Sequence, residues 1–240
     1  MRRVFLAVLA TLTVLAASAL PAAAAEDPFD RVAPGIDQAI VVTATDWRTT
    51  VATLRAYERR DGRWVEVIGP TRAMLGAAGM IPAKRRLQGT GETPAGTFAI
   101  PSAFGRKANP GTALPYTRID RDDIWPYWPK DPSTYNLLQT APIDTSRHGR
   151  YVEHLWDMGR QYDYVAVMDY NLPHGEITTG PDGIRRAADP ADTRKGGGIF
   201  LHVSKGEPTA GCIAVNERTM KRILRWLDPA ASPVIITRVA

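Results

Sequence analysis

Short β-type segments separated by glycine and proline make up most of this sequence, and only one stretch has the hydrophobic spacing of a helix. The strand candidates are rich in Val, Ile, Thr, Leu and aromatic residues, which favour extended backbone. They are residues 38–45, 49–57, 96–100, 164–170, 199–203 and 234–239. The pattern predicts a mainly β fold with one or two helices.

The turn and helix signals agree with this prediction. Asp61-Gly62 lies between two strand-like runs, residues 57–60 and 63–68, and supplies the positive φ angles that a tight hairpin needs. A helix is predicted over residues 217–227 and is followed by Asp228-Pro229, which ends it. Its apolar residues recur on one face: Met220, Ile223, Leu224 and Leu227. Residues 106–160 are rich in proline and predict long structured loops around one short helix.

The N-terminus has the features of a secretory signal peptide. Arg2 and Arg3 precede the apolar residues 4–20, and small residues lead up to Ala25. We predict cleavage after Ala25, a single domain over residues 26–240, and a secreted, cell-wall-associated protein without a stable membrane span. An uncleaved membrane anchor is the alternative.

Composition excludes several classes of protein. The 240 residues include one cysteine, so neither an intrachain disulfide nor a multi-cysteine metal site is possible. The net charge of +5 is spread in mixed sign, with no basic run suited to nucleic acid. The histidines and acids lack the spacing of metal ligands, so no metal and no cofactor are expected.

The single cysteine is a candidate catalytic nucleophile. Cys212 follows Gly211 in a loop that begins ten residues earlier at His202, at the end of a predicted strand. A neighbouring imidazole activates a thiol, and we expect it to lower the pKa of Cys212. A glycine before the nucleophile leaves backbone amides open to an oxyanion. All four histidines precede Cys212, which excludes papain-like and NlpC-type peptidases. Surface or hydrogen-bonding roles are expected for the other three: His148, His154 and His174.

Two motifs extend this prediction to a family. The run Ile199-Phe200-Leu201-His202, continuing to Thr209-Ala210-Gly211-Cys212, resembles the L,D-transpeptidase catalytic domain (YkuD-like), in which a strand-borne His is followed by Ser/Thr-x-Gly-Cys. The block Gly89-Thr90-Gly91-Glu92-Thr93-Pro94-Ala95-Gly96-Thr97-Phe98 is similar to a second family motif. No Lys-Ser/Thr pair follows its glycines, so a tight turn rather than a phosphate loop is expected. Thr-Ala-Gly-Cys marks a divergent subgroup.

The resemblance implies a β-sandwich catalytic domain whose C-terminal helix follows the cysteine loop. It also implies an acyltransferase acting on peptidoglycan stem peptides. Cys212 would be the nucleophile and His202 the proton donor and acceptor, oriented by the carbonyl of Val203. Amides of Gly211 and Cys212 would hold the oxyanion, and Thr209 would shape the loop. The thioester would pass to the amine of a second stem or to water, and a carbapenem would acylate Cys212.

Alternatives remain open at this point. Ala210 and Ala214 stand where many family members carry polar residues, which motivates a catalytically silent wall-binding protein. Water as the acceptor would make the protein an L,D-carboxypeptidase. A sortase-like enzyme shares the order His, Cys, Arg but lacks the expected Thr-Leu-x-Thr-Cys motif. The aromatic run at Trp125–Trp128 predicts a loop packed on the core, with stacking on glycan or peptide as its alternative.

Overall fold

The computed structural model describes residues 27–30, 32–146 and 148–240. The predicted signal peptide, residues 1–25, lies outside the described residues. Fifteen strands occur in the described ranges. They are β1 (Gln38–Ala44), β2 (Val51–Arg60), β3 (Arg63–Met74), β4 (Met80–Pro82), β5 (Thr93–Ala99), β6 (Ser102–Gly105), β7 (Tyr116–Arg118), β8 (Ile124–Pro126), β9 (Val152–His154), β10 (Val165–Val167), β11 (His174–Thr179), β12 (Arg185–Asp189), β13 (Phe200–Val203), β14 (Ile213–Val215) and β15 (Val234–Val239).

Eleven of these strands form one sheet in the order β4-β5-β15-β1-β2-β3-β14-β13-β10-β6-β7. The predicted hairpin joins β2 and β3, with Arg60 paired to Arg63 across the turn. Asp61 and Gly62 have φ angles of 49° and 75°, as a two-residue turn of this kind requires. β13 and β14 pair in parallel, and so do β1 and β15.

Helix α1 (Glu217–Trp226) lies between β14 and β15 and covers one face of the sheet. The Asn216 side chain caps it by accepting the Thr219 amide at 2.9 Å. Met220, Ile223 and Leu224 are buried, because they recur at helical spacing on the face toward the sheet. In the part of the chain that the structure describes, three short 3-10 helices occupy Ala83–Arg85, Leu155–Tyr162 and Pro229–Ala231.

Two hydrophobic clusters lie on opposite faces of β13, and its alternation explains them. Leu201 and Val203 join the main core, together with residues of β1, β2, β14 and α1. Phe200 faces the other way, into an aromatic cluster that also includes Cys212. One face of β13 therefore contributes to the main core. Its opposite face is covered by the aromatic cluster, most of whose residues lie from β6 to β10 in the sequence.

Most predicted elements are confirmed, including the mainly β fold and the helix after the cysteine loop. Two features were not predicted. The hairpin of β11 and β12 and the small pair of β8 and β9 stand outside the large sheet. Residues 106–160 are loops as predicted, but they carry three short strands, β7, β8 and β9. Among the described residues, no helix is long and apolar enough to cross a membrane.

Candidate active site

The parallel pairing of β13 and β14 brings the predicted nucleophile and base to one face. His202 lies opposite Ala214 in this pair. Cys212 precedes Ala214 by two residues, and side chains two apart along an extended chain share a face. Cys212 therefore lies on the same face as His202, on the adjacent segment of the sheet. Both side chains are buried, with 7% and 4% of their surface exposed.

The Cys212 thiol is held between two backbone groups. Its Sγ donates to the Gly198 carbonyl at 3.2 Å and accepts the Phe200 amide at 3.4 Å. Burial raises the pKa of Cys212 to about 12, and the nearby carboxyl of Glu153 acts in the same direction. The thiol is consequently neutral at physiological pH.

The imidazole of His202 is also neutral. Its Nδ1 lies 2.9 Å from the Val203 carbonyl oxygen, which can only accept, so Nδ1 carries the hydrogen and Nε2 keeps a free lone pair. Burial lowers the pKa of His202 to about 4. The expectation that His202 lowers the pKa of Cys212 is wrong for this resting state, because burial penalises both the thiolate and the imidazolium.

The loop before Cys212 is fastened by two threonines. The Thr209 hydroxyl donates to the Cys212 carbonyl at 2.7 Å and accepts the Gly211 amide at 3.1 Å. Thr93, from the second family-like block, accepts the Gly76 amide at 2.8 Å and contacts the Cys212 carbonyl at 3.5 Å. The block predicted as a plain turn therefore also supports the cysteine loop. A substrate oxygen would compete with Thr209 for the Gly211 amide.

A triple glycine before β13 positions the carbonyl that holds the thiol. Buried Asn136 accepts the Gly198 amide and the Trp125 indole N–H, both at 2.8 Å. A Cβ on Gly197 would collide with the Asn136 side chain. Asn136 was not singled out in the sequence, because nothing local distinguishes it from a loop asparagine.

Cys212 opens onto a cleft of about 650 Å³. Its described lining includes the arginines Arg86, Arg150 and Arg194. Arg86 is buried, and its Nε and Nη1 donate to the carbonyls of Glu92 and Lys195 at 2.8 and 2.9 Å. Its Nη2 lies beside Gly211, where a Cβ would come within 2.9 Å of it. The cleft is therefore positively charged at its rim and beside the cysteine loop.

One carboxyl lines the same cleft. Glu153, on β9, accepts the Tyr162 hydroxyl at 2.7 Å, and Tyr127 lines the same cleft beside it. Burial raises the pKa of Glu153, while both tyrosine hydroxyls act to lower it. The ring of Tyr162 stands edge-on to His202, with centroids 5.6 Å apart. Neither Glu153 nor Tyr162 was predicted, since Glu153 lies in the proline-rich residues 106–160 and Tyr162 stands just after them.

The aromatic run at Trp125–Trp128 has one residue packed in the core and another at the cleft. Trp125 is 3% exposed and packs against Phe104 and Phe200, as the packing interpretation predicts. Tyr127 instead lines the cleft. Of the other histidines, His154 and His174 are exposed and His148 is buried beside Trp128. Within the described part of the chain, no group of three His, Cys, Asp or Glu side chains could hold a metal ion.

These features define a class of protein: a buried cysteine and histidine share one face of a β sheet, and the cysteine opens onto a cationic cleft. The family model of the L,D-transpeptidase catalytic domain, YkuD, matches residues 37–236. The chain belongs to this family. The match covers the hairpin, the cleft and all but the last three residues of β15.

Other comparisons are distant. No curated protein matches the sequence significantly. A crystal structure of the helical cell shape determining protein Pgp2 from Campylobacter jejuni is similar at 15% identity and a TM-score of 0.38, over 84% of this chain and 47% of that one. A lysine-to-alanine variant of Pgp2 gives 16% identity and a TM-score of 0.36 over the same shares. This chain thus matches about half the length of Pgp2.

Proposed function

We propose that this protein is an exported cysteine acyltransferase of the L,D-transpeptidase type that acts on peptidoglycan stem peptides. One observation carries the proposal: Cys212 lies at a 650 Å³ cleft, on the same sheet face as a histidine whose Nε2 is free. Membership of the YkuD family supports the substrate class. The basic and apolar N-terminal residues 1–25 support export.

The resting state determines how the first step proceeds. Both the thiol and the imidazole are neutral, so Nε2 of His202 takes the thiol proton as Sγ attacks the carbonyl of the third stem residue. The new C–S bond forms, the C–N bond to the terminal D-Ala breaks, and the proton passes from His202 to the departing amine. The product is a thioester on Cys212.

The developing oxyanion needs donors in the cysteine loop. The Cys212 amide is one candidate and the Gly211 amide, now bonded to Thr209, is the other. The Arg86 guanidinium beside Gly211 adds positive charge to this side of the cleft. Positive charge stabilises an oxyanion most where water is excluded, as it is around the buried Cys212.

The charge of the cleft suits the proposed substrate. Stem peptides carry carboxylates, and two exposed arginines, Arg150 and Arg194, stand at the rim. Arg194 is already paired with Asp192 at 2.8 Å, so Arg150 is the freer of the two for a substrate carboxylate. Carbapenems carry a carboxylate beside a strained acyl donor and should therefore acylate Cys212.

The test is mass spectrometry of the protein lacking residues 1–25, incubated with disaccharide-tetrapeptide of a diaminopimelate-type wall. Wild type should release D-Ala and produce dimers joined between third residues, and Cys212→Ala should do neither. Cys212→Ala exchanges one small buried side chain for another, so circular dichroism should show an unchanged fold.

The other possible outcomes distinguish between the alternative functions. Release of D-Ala without dimers would identify an L,D-carboxypeptidase, with water as the acceptor. No release of D-Ala and no acylation of Cys212 by a carbapenem would reject the proposal and leave the wall-binding alternative.

A further inference from the structure

The carboxyl of Glu153 lines the cleft and takes no part in the first step. Glu153 and Cys212 both line it, whereas His202 is not among its lining residues. His202 is 4% exposed and its Nδ1 is committed to the Val203 carbonyl. An acceptor entering the cleft after D-Ala has left would therefore meet the carboxyl of Glu153 before it reaches the imidazole.

We propose that Glu153 is the general base of the second half-reaction, in which the acceptor resolves the thioester. The inference rests on the proposed function and deepens it. It assigns the base of each half-reaction to a different residue: His202 takes the thiol proton in the first, and Glu153 takes the acceptor proton in the second.

The step balances in atoms and protons. The neutral amine of the acceptor attacks the thioester carbonyl, and a C–N bond forms. One proton moves from that nitrogen to the Glu153 carboxylate. The C–S bond then breaks, and the proton returns from Glu153 to Sγ, which restores the neutral thiol. Water as the acceptor loses its proton to Glu153 in the same way.

The surroundings of Glu153 fit a base that remains ionisable. The Tyr162 hydroxyl donates to it, and the Tyr162 and Tyr127 hydroxyls both lower its pKa, which offsets part of the effect of burial. The other charged or titratable groups at the same cleft are Arg86, Arg150, Arg194, Tyr151 and Cys212. A carboxyl whose pKa is raised above its ordinary value is a stronger base, and a pKa nearer to neutrality suits proton transfer at physiological pH.

The experiment compares acylation with deacylation in the full mature chain. Wild type, Glu153→Gln and Glu153→Asp are mixed with disaccharide-tetrapeptide, and intact-protein mass spectra are followed over time. Glu153→Gln keeps an acceptor for Tyr162 but cannot take a proton. We expect it to form the thioester at least as fast as wild type and to resolve it about a hundredfold more slowly or worse, so that the acyl-enzyme accumulates. Glu153→Asp should recover part of the loss.

Controls keep the outcomes distinct. Glu176→Gln changes an exposed glutamate on β11 and should match wild type. The wild-type deacylation rate should fall as pH drops through the pKa of Glu153, and Glu153→Gln should lack this dependence. Equal slowing of both steps, or turnover like wild type in Glu153→Gln, would overturn the inference. Failure of wild type itself to form a thioester would instead reject the proposed function.

Discussion

The two walls of the cleft differ in how they are built. The strand wall consists of Gly198, Ile199 and Cys212, which directly precede β13 and β14. These two strands pair in parallel and are buried on both faces. The loop wall consists of Tyr127, Pro129, Arg150, Tyr151 and Glu153, from segments between β8 and β9 and from β9 itself. The nucleophile therefore stands on the large sheet, and the carboxyl stands on a separate two-stranded sheet that packs over it.

This difference indicates that the two walls have different functions. Two interior strands of the large sheet hold the thiol, the imidazole and their backbone partners in one geometry, as attack by a buried nucleophile requires. Loops vary in length and sequence more freely than strands, so a wall built from them can set which acceptor enters. The predictions below test whether the two walls have separate roles.

The largest effect is expected at the centre of the strand wall. Cys212→Ser should reduce D-Ala release below detection, because a hydroxyl in this buried site is a far poorer nucleophile than a thiol. Thermal unfolding should stay near that of wild type, since the volume hardly changes. Residual turnover in the Cys212→Ser protein would mean that another group attacks the substrate.

His202→Gln should lower the acylation rate by about 10²–10⁴-fold, the usual contribution of a general base. It should also change stability with pH. The pKa of His202 falls from 6.5 to about 4 on folding, so between those values the unfolded chain binds a proton that the folded chain does not. Wild type should lose about 3 kcal/mol from this group as pH falls from 6.5 to 4, and His202→Gln should not. Denaturant titrations at both pH values measure the difference, with the exposed His154→Gln as control.

Asn136→Ala tests the connection between the walls. It leaves the Trp125 indole N–H and the Gly198 amide without their buried acceptor, at a cost of about 3 kcal/mol in the free energy of unfolding. Activity should fall as well, because the Gly198 carbonyl also positions the thiol. Asn109→Ala, at an exposed turn, should cost about 1 kcal/mol or less. Similar losses in the two variants would show that the walls are held independently of Asn136.

A smaller effect is expected on the reactivity of the Cys212 thiol when the Glu153 carboxyl is removed. Glu153→Gln removes a negative charge that raises the pKa of Cys212, so the thiolate fraction at a given pH should increase. Alkylation by iodoacetamide at pH 8 should be several-fold faster than in wild type. Alkylation at the wild-type rate would mean that the two walls do not interact electrostatically.

The smallest effect is expected far from both walls. Gly62→Ala places a side chain at a φ of 75° in the β2–β3 turn, and left-handed backbone costs about 1–2 kcal/mol for an ordinary residue. Calorimetry should show the lower stability, while acylation and deacylation rates stay unchanged at 25 °C. A change in either rate would show that the hairpin is coupled to the cleft.

The large sheet and its strand wall were predictable from the sequence, and the loop wall was not. Elsewhere in the fold, β15 and α1 follow from alternation and helical spacing, which are local patterns. Their observed bounds agree with the prediction within one residue. His202 and Cys212 are ten positions apart and carry a family motif. Glu153, by contrast, reaches Cys212 only through the pairing of β8 with β9, across 59 positions. No periodicity or motif marks such a contact.

The protonation states of Cys212 and His202 could not be predicted from the sequence either. A thiol near an imidazole is expected to have a low pKa, but the sign of the shift depends on how far both groups are desolvated. Burial of Cys212 and His202 is set by the aromatic residues packed over β13 and by Tyr162 in particular. Those residues come from elements spread over more than ninety positions, from Phe104 to Phe200.

The position of β15 bears on the order in which the protein can fold during its synthesis. β15 pairs with β1 on one side and β5 on the other, so the ribosome must complete residues 234–239 before those two strands are joined. Until then β1 and β5 each keep an open edge, and the core beneath them lacks Ile235. The large sheet therefore stays in two separate parts, one on each side of the place of β15, until this strand has been made.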